Sequence, residues 1–117
     1  MKLVKLHGLL ADETRLRILH LLLQGPLCVC HFQAVLDAPQ VKISKHLAAL
    51  REHGLVQNRR HKNWVIYELV DKPAEIIQLQ LRALADTAAS EAIFQRDLKR
   101  LAKISNQADE IVAACCS

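Results

Sequence analysis

Apolar residues recur at helical spacing through the first half of the chain. Leu3, Leu6 and Leu10 make a short stripe. Asp12, a good N-cap, then opens a second helix that carries Leu16, Leu19 and Leu23 on one face. Gly25-Pro26 ends that helix: Gly suits the left-handed position past a helix end, and Pro cannot continue it. A short third helix is predicted from about Cys28 to Leu36, with Phe32 and Leu36 inward, before Asp37-Ala38-Pro39 breaks the chain. A fourth runs from about Gln40 to His53, where Ile43, Leu47 and Leu50 face the core and Gly54 closes it.

The pattern then changes. Leu55 to Arg60 and Trp64 to Val70 are short β-leaning runs, and His61-Lys62-Asn63 between them reads as a hairpin loop. After Asp71-Lys72-Pro73 a single long helix is predicted, reaching Lys103 or beyond. Ile77, Leu81, Leu84, Ala88, Leu98 and Leu101 give it a continuous apolar stripe that needs a partner surface. Two short helices across a tight break, followed by a hairpin, describe a winged helix-turn-helix. The expected fold is therefore mainly α with a small β-hairpin. Residues 1–117 are read as one such winged helix-turn-helix domain with a Cys-containing C-terminal tail.

Composition agrees. Of 117 residues, 51% are hydrophobic but only 3% aromatic, so the core is aliphatic, and 20 residues are Leu, a strong helix former. Three Gly and three Pro leave little room for a many-stranded β fold. The net charge of +4 is concentrated. Between Gln40 and Trp64, six Lys and Arg face one acid, Glu52, a local net of +5, so the rest of the chain is close to neutral. A basic surface on a neutral body points to an anionic polymer.

With Ile43, Leu47 and Leu50 inward, the outer face of the fourth helix presents Gln40, Lys42, Ser44, Lys45 and His46. Gln can bond adenine bidentately, Lys can reach guanine or phosphate, and Ser can reach either. Arg59, Arg60, His61 and Lys62 at the hairpin tip would grip the backbone or minor groove of double-stranded DNA. RNA binding by stacking is the weaker reading, since Trp64 and Tyr67 are the only aromatics here and suit hairpin packing.

No run of about 18 apolar residues is present, which argues against a membrane span. The opening Met1-Lys2-Leu3-Val4-Lys5-Leu6-His7 lacks an uninterrupted apolar stretch, so the expected compartment is the cytoplasm. The four cysteines form two close pairs, Cys28/Cys30 and Cys115/Cys116. In a reducing compartment such thiols serve metal or redox chemistry.

Several blocks resemble one family. Leu10-Ala11-Asp12-Glu13-Thr14-Arg15-Leu16 with Leu27-Cys28-Val29-Cys30 is similar to the arsenic-sensing branch of the ArsR/SmtB metal-responsive repressors. The run from Lys42 to Val56 (KISKHLAALREHGLV) resembles that family's recognition helix, and Trp64-Val65-Ile66-Tyr67-Glu68-Leu69 resembles its second wing strand. The resemblance implies a homodimer, paired through the first and last helices, on a palindromic operator. It also implies release of DNA when trivalent arsenic or antimony, the inducer, is bound by cysteine thiolates. The family motif continues Leu-Cys-Val-Cys-Asp-Leu-Cys. Here His31 replaces the acid and Gln33 stands where the third Cys would be.

Trivalent arsenic is a soft centre suited to thiolates. On an ideal helix, residues two apart lie about 200° around the axis, so Cys28 and Cys30 meet on one ion only if the helix start frays or distorts. Cys115, Cys116, a small thiol or water could complete the site, and the tail pair could form a site of its own. A zinc site on the last helix would want His ligands, and no His follows His61; cadmium or lead would want Cys residues before Cys28, and none occurs. Thiol-redox sensing, or cadmium or lead sensing on the same fold, are the alternatives. An enzyme is not expected: adjacent Cys30 and His31 point apart, and no glycine-rich phosphate loop or organic-cofactor motif appears.

Overall fold

The computed structural model describes residues 1–105, so the tail with Cys115 and Cys116 lies outside the described residues. The first helix, α1 (Lys2–Leu10), leads to α2 (Glu13–Leu22), which Asp12 caps by accepting the Arg15 amide at 3.0 Å. Next come a two-residue strand β1 (Leu27–Cys28), α3 (Val29–Leu36) and α4 (Gln40–Glu52). Between the last two, Asp37 adopts a left-handed conformation, φ 52° and ψ 51°, that ends α3, and Pro39 caps α4. Strands β2 (Val56–His61) and β3 (Trp64–Leu69) form the hairpin, and α5 (Glu75–Ala88) and α6 (Ala92–Ser105) follow. The helix-turn-helix and its wing are where periodicity placed them. Ile43, Leu47 and Leu50 of α4 are fully buried against Ile18, Leu19 and Phe32.

Three features differ from expectation. Cys28, expected to open the third helix, is extended: with Leu27 it forms a strand, Leu27 opposite Tyr67 and Cys28 opposite Ile66, in an antiparallel sheet of order β1-β3-β2. The hairpin loop is two residues, not three, because His61 pairs with Trp64; Lys62 takes φ +59° to make the turn.

The long C-terminal helix is in fact two helices. Near the end of α5, the Thr87 hydroxyl donates to the Ala83 carbonyl at 2.8 Å and the Ser90 hydroxyl to the Thr87 carbonyl at 2.8 Å. Hydroxyls that satisfy carbonyls locally compete with helix continuation. The Gln95 amide reaches back across the break to the Ala88 carbonyl at 3.2 Å. The stripe expected to seek an outside partner is instead largely buried within the chain. Ile77, Leu84 and Ala88 of α5, and Phe94 and Leu101 of α6, join the common core, with α6 packed on α2 and α3.

One ion pair fastens that fold-back. Arg17 of α2 donates from Nε and Nη2 to the two carboxylate oxygens of Asp97 on α6, each at 2.8 Å, with Asp97 completely buried. The bidentate bond to Asp97 raises the Arg17 pKa. The His20 ring lies tilted by 49° against Phe94 near this pair, ring centroids 4.8 Å apart. Removing one partner of a buried pair strands the other's charge. Asp97→Ala is therefore expected to lower the unfolding free energy by roughly 3 kcal/mol in urea titrations. A loss under about 0.5 kcal/mol, the size of an ordinary surface substitution, would contradict the assignment.

Candidate DNA-reading surface and thiol pair

The burial of Ile43, Leu47 and Leu50 turns the opposite side of α4 outward. Gln40, Lys42 and Lys45 are exposed there, and Ser44 is half-buried. Arg59, Arg60, His61 and Lys62 are exposed along the wing. Arg59 is tied to Glu68 on the neighbouring strand at 3.3 Å, which leaves Arg60 and Lys62 to project their charge outward. The first half of α4 and the wing tip face one another across a cleft of about 230 Å³ to which Gln40, Ser44 and Asn63 all contribute. Helix and wing cations thus lie on adjacent elements, as a duplex with a groove and flanking phosphates requires.

His46 sits differently from its neighbours. It is half-buried, and its Nδ1 accepts from Arg15 Nε at 3.0 Å, so its ring joins α4 to the start of α2. Arg15 also donates to the Leu9 carbonyl at 3.2 Å. Burial pushes the Asp12 carboxyl up, but the Arg15 amide and the nearby His46 and Arg15 charges outweigh it and hold it below the usual carboxylate value. Burial likewise holds the His46 ring below its ordinary pKa, against the pull of Asp12.

Val41 escaped sequence reasoning altogether. It is 68% exposed on α4 between Gln40 and Lys42. An apolar side chain there suits a thymine methyl group. The signal was available: a β-branched residue off the Ile43-Leu47-Leu50 stripe.

The thiols meet without any fraying of a helix. Cys28 is the N-cap of α3, with extended φ −94° and ψ 167°, so its side chain is set by the sheet and that of Cys30 by the helix. Their sulfurs lie 2.7 Å apart, both residues 1% exposed beneath Trp64 and Ile66. His31 serves this geometry as a cap: its Nδ1 accepts the Cys28 amide at 3.1 Å. Gln33, one turn after Cys30, borders the same cleft between α3, α4 and the wing. Among the described residues, no three His, Cys, Asp or Glu side chains gather into a metal-holding cluster.

A helix-turn-helix with a basic recognition helix and wing defines a DNA-binding regulator. The model of the bacterial regulatory protein, arsR family, matches residues 12–58. The chain is 37% identical over 105 residues to the arsenic resistance transcriptional regulator ArsR1 of Pseudomonas putida, covering 89% of this chain and 80% of that protein. It is 52% identical over 67 residues to the arsenical resistance operon repressor of Escherichia coli, covering 56% and 57% of the two chains. A homodimeric winged helix-turn-helix DNA-binding domain from Mycobacterium bovis superposes with a TM-score of 0.61 at 28% identity, covering 78% of this chain and 81% of that one. The chain belongs to the arsR family of transcriptional repressors; it is a regulator and not an enzyme. Among the described residues, no helix is long and apolar enough to cross a membrane.

The two depressed histidines set a pH dependence. Burial lowers both His20, opposed by Asp97, and His46 from the ordinary value of 6.5. Below about pH 6.5 the unfolded chain takes up protons that the folded chain refuses, so the stability they contribute is complete above that pH and falls below it. Melting temperature is expected to drop between about pH 7 and about pH 5, and His46→Gln, which keeps an acceptor for Arg15 but cannot titrate, should flatten part of the drop. An unchanged slope in that variant would count against the His46 contribution.

Proposed function

We propose that this protein is a homodimeric, cytoplasmic repressor that holds operator DNA with α4 and the wing and releases it when trivalent arsenic or antimony is bound by cysteine thiolates. In this reading residues 1–117 act as one winged-helix unit. The observation that carries it is the Cys28–Cys30 pair: two buried sulfurs 2.7 Å apart, in a segment hydrogen-bonded to the wing on one side and continuous with the helix-turn-helix on the other. Soft thiolates gathered in this way fit a soft, trivalent centre.

The coupling follows from where the pair sits. Cys28 lies in β1, opposite Ile66 of the wing strand, and Cys30 lies in the first turn of α3, which packs on α4. A ligand bridging both sulfurs acts on the sheet register and the helix start together. Any resulting preference for a shape with wing and α4 displaced is, by linkage, a loss of DNA affinity.

Gln40, Lys42, Ser44, Lys45 and His46 on α4, with Arg59, Arg60 and Lys62 on the wing, are assigned to the DNA surface, with His46 acting through Arg15 as well. Dimerisation is assigned to α1 and α5, where Leu3 and Ile76 border an apolar groove and Val4 and Leu79 are also exposed. Cys115 and Cys116 are the candidate further ligands. They follow α6, whose Arg100 donates to the Ala34 carbonyl of α3 at 3.4 Å, and the ten residues from Ser105 to Cys115 can span up to about 33 Å.

Cys28→Ser and Cys30→Ser should each retain operator binding while losing release by arsenite under a phosphine reductant, as read by fluorescence anisotropy of a labelled duplex. Binding that survives arsenite in the unaltered protein but is abolished by peroxide would instead establish a thiol-redox repressor. In the Cys115→Ser/Cys116→Ser protein, a weakened arsenite response assigns the tail as ligand, and an unaltered one removes it. On the DNA side, Lys42→Ala with Lys45→Ala removes two lysines from each subunit of the dimer and should reduce the slope of log affinity against log salt by about 4, because each lost phosphate contact releases about one counterion fewer. An unchanged slope would place those lysines away from the phosphates.

A further inference from the structure

We propose that Arg15 is a positioning residue for operator recognition, and that its bond to the neutral His46 ring makes discrimination of the operator acid-sensitive. The inference rests on the reading of α4 as the helix that enters the groove. Arg15 is in the first turn of α2, and its guanidinium reaches two other elements. Nε donates to His46 Nδ1 on α4 at 3.0 Å, and Nη1 donates to the Leu9 carbonyl at 3.2 Å. Leu9 lies in the last turn of α1, where carbonyls have no helical amide to pair with. One side chain thus ties the end of α1 and the start of α2 to the reading helix.

The bond also decides what His46 offers to a ligand. An arginine Nε is always a donor, so Nδ1 is the bare nitrogen of the ring and the neutral ring carries its proton on Nε2. Nε2 bonds no other described residue and is not buried. Lys42 lies one turn before His46 and near enough to act on its charge, so the ring shares a side of α4 with an exposed lysine of the DNA surface. Arg15 therefore holds an N–H donor in place on that side and fixes how α4 stands against α2. Lysine does not replace it: an ammonium carries the charge but has no rigid fork to hold two acceptors in different directions.

Acid undoes this arrangement. A proton on Nδ1 sets two N–H groups and two positive charges against one another across 3.0 Å, so the ring and the guanidinium must part. Burial first, then Arg15 and Lys42, hold the ring's pKa below the ordinary 6.5, against the pull of Asp12, the N-cap of α2. The other elements packed most closely on α4, α3 and β2, bring no charge that acts on the ring. The bond is therefore intact at neutral pH and is lost as the pH falls below 6.5. Two roles for His46 then differ in sign. A histidine that only grips phosphate binds DNA better when protonated, whereas one that seats α4 through Arg15 reads the operator less well.

The test uses the full-length chain and a duplex of about 30 base pairs, long enough for two half-sites, that the unaltered protein selects from a randomised pool at neutral pH. The readout is the ratio of its affinity to that for a scrambled duplex, by fluorescence anisotropy at fixed salt and below the melting temperature. Loss of folded protein weakens both and leaves the ratio alone. In the unaltered protein the ratio should fall about tenfold between about pH 7.5 and about pH 5.5. Arg15→Lys should lower it about tenfold at neutral pH, and His46→Gln, which keeps an acceptor for Arg15 but cannot titrate, should make it independent of pH. A ratio that is constant or rises on acidification, an Arg15→Lys protein that discriminates fully, or a pH dependence that survives His46→Gln overturns the inference. Failure to select any duplex, or affinity for the selected one that Lys42→Ala with Lys45→Ala leaves unchanged, overturns the reading of α4 as well. Affinity that needs those lysines, with a ratio that does not need Arg15, removes this inference alone.

Discussion

The pairing of β1 with the wing is the constraint on which the rest depends. Two residues, Leu27 and Cys28, are held extended by Tyr67 and Ile66 of β3, and α3 starts only at Val29. Had the helix begun one residue earlier, the side chains of Cys28 and Cys30 would lie on nearly opposite sides of it. Extended backbone at one cysteine and helical backbone at the other bring the sulfurs to 2.7 Å. The same pairing makes the thiol pair part of the wing and part of the helix-turn-helix at once. The thiol pair is therefore joined directly to both the wing and α3.

Around that junction the chain uses buried polar contacts to set the relative positions of its helices. Arg15 connects the His46 ring on α4 to the carbonyl end of α1, and Arg17 grips Asp97 of α6 with two bonds of 2.8 Å. Apolar packing is largely non-directional, whereas a two-pronged guanidinium–carboxylate pair in a dry interior permits one register. The α6 fold-back thus has a defined seat on α2 and α3, and the thiol-bearing helix is braced from behind by the element that leads into the C-terminal tail.

The DNA surface rests on a simpler principle. Burying one stripe of α4 exposes the other, so charge and hydrogen-bonding groups are displayed as a by-product of core formation. The cations of wing and helix become neighbours only because the two-residue turn at Lys62-Asn63 brings the hairpin tip over the cleft beside α4. Uncharged groups share that surface: Gln33 borders the cleft, and Val41 is exposed on α4 beside Lys42.

Much of this was legible in the chain itself. The 3.6-residue stripes at Leu16-Leu19-Leu23 and Ile43-Leu47-Leu50, the Asp12 cap, the Gly25-Pro26 stop and the concentration of cations between residues 40 and 64 specify a winged helix-turn-helix with a basic reading face. These are local properties, set by short-range sterics, hydrogen bonding and side-chain period, and a linear sequence carries them. The extended state of Cys28, the break after Ala88, the inward turn of His46 and the Arg17–Asp97 clamp are decided by contacts between residues about 30 to 80 positions apart, or by which of two locally allowed conformations the rest of the fold favours. Sequence alone therefore named Cys28 and Cys30 but set them on opposite sides of a helix; only the strand contributed by the wing, nearly forty residues later, puts the two sulfurs together.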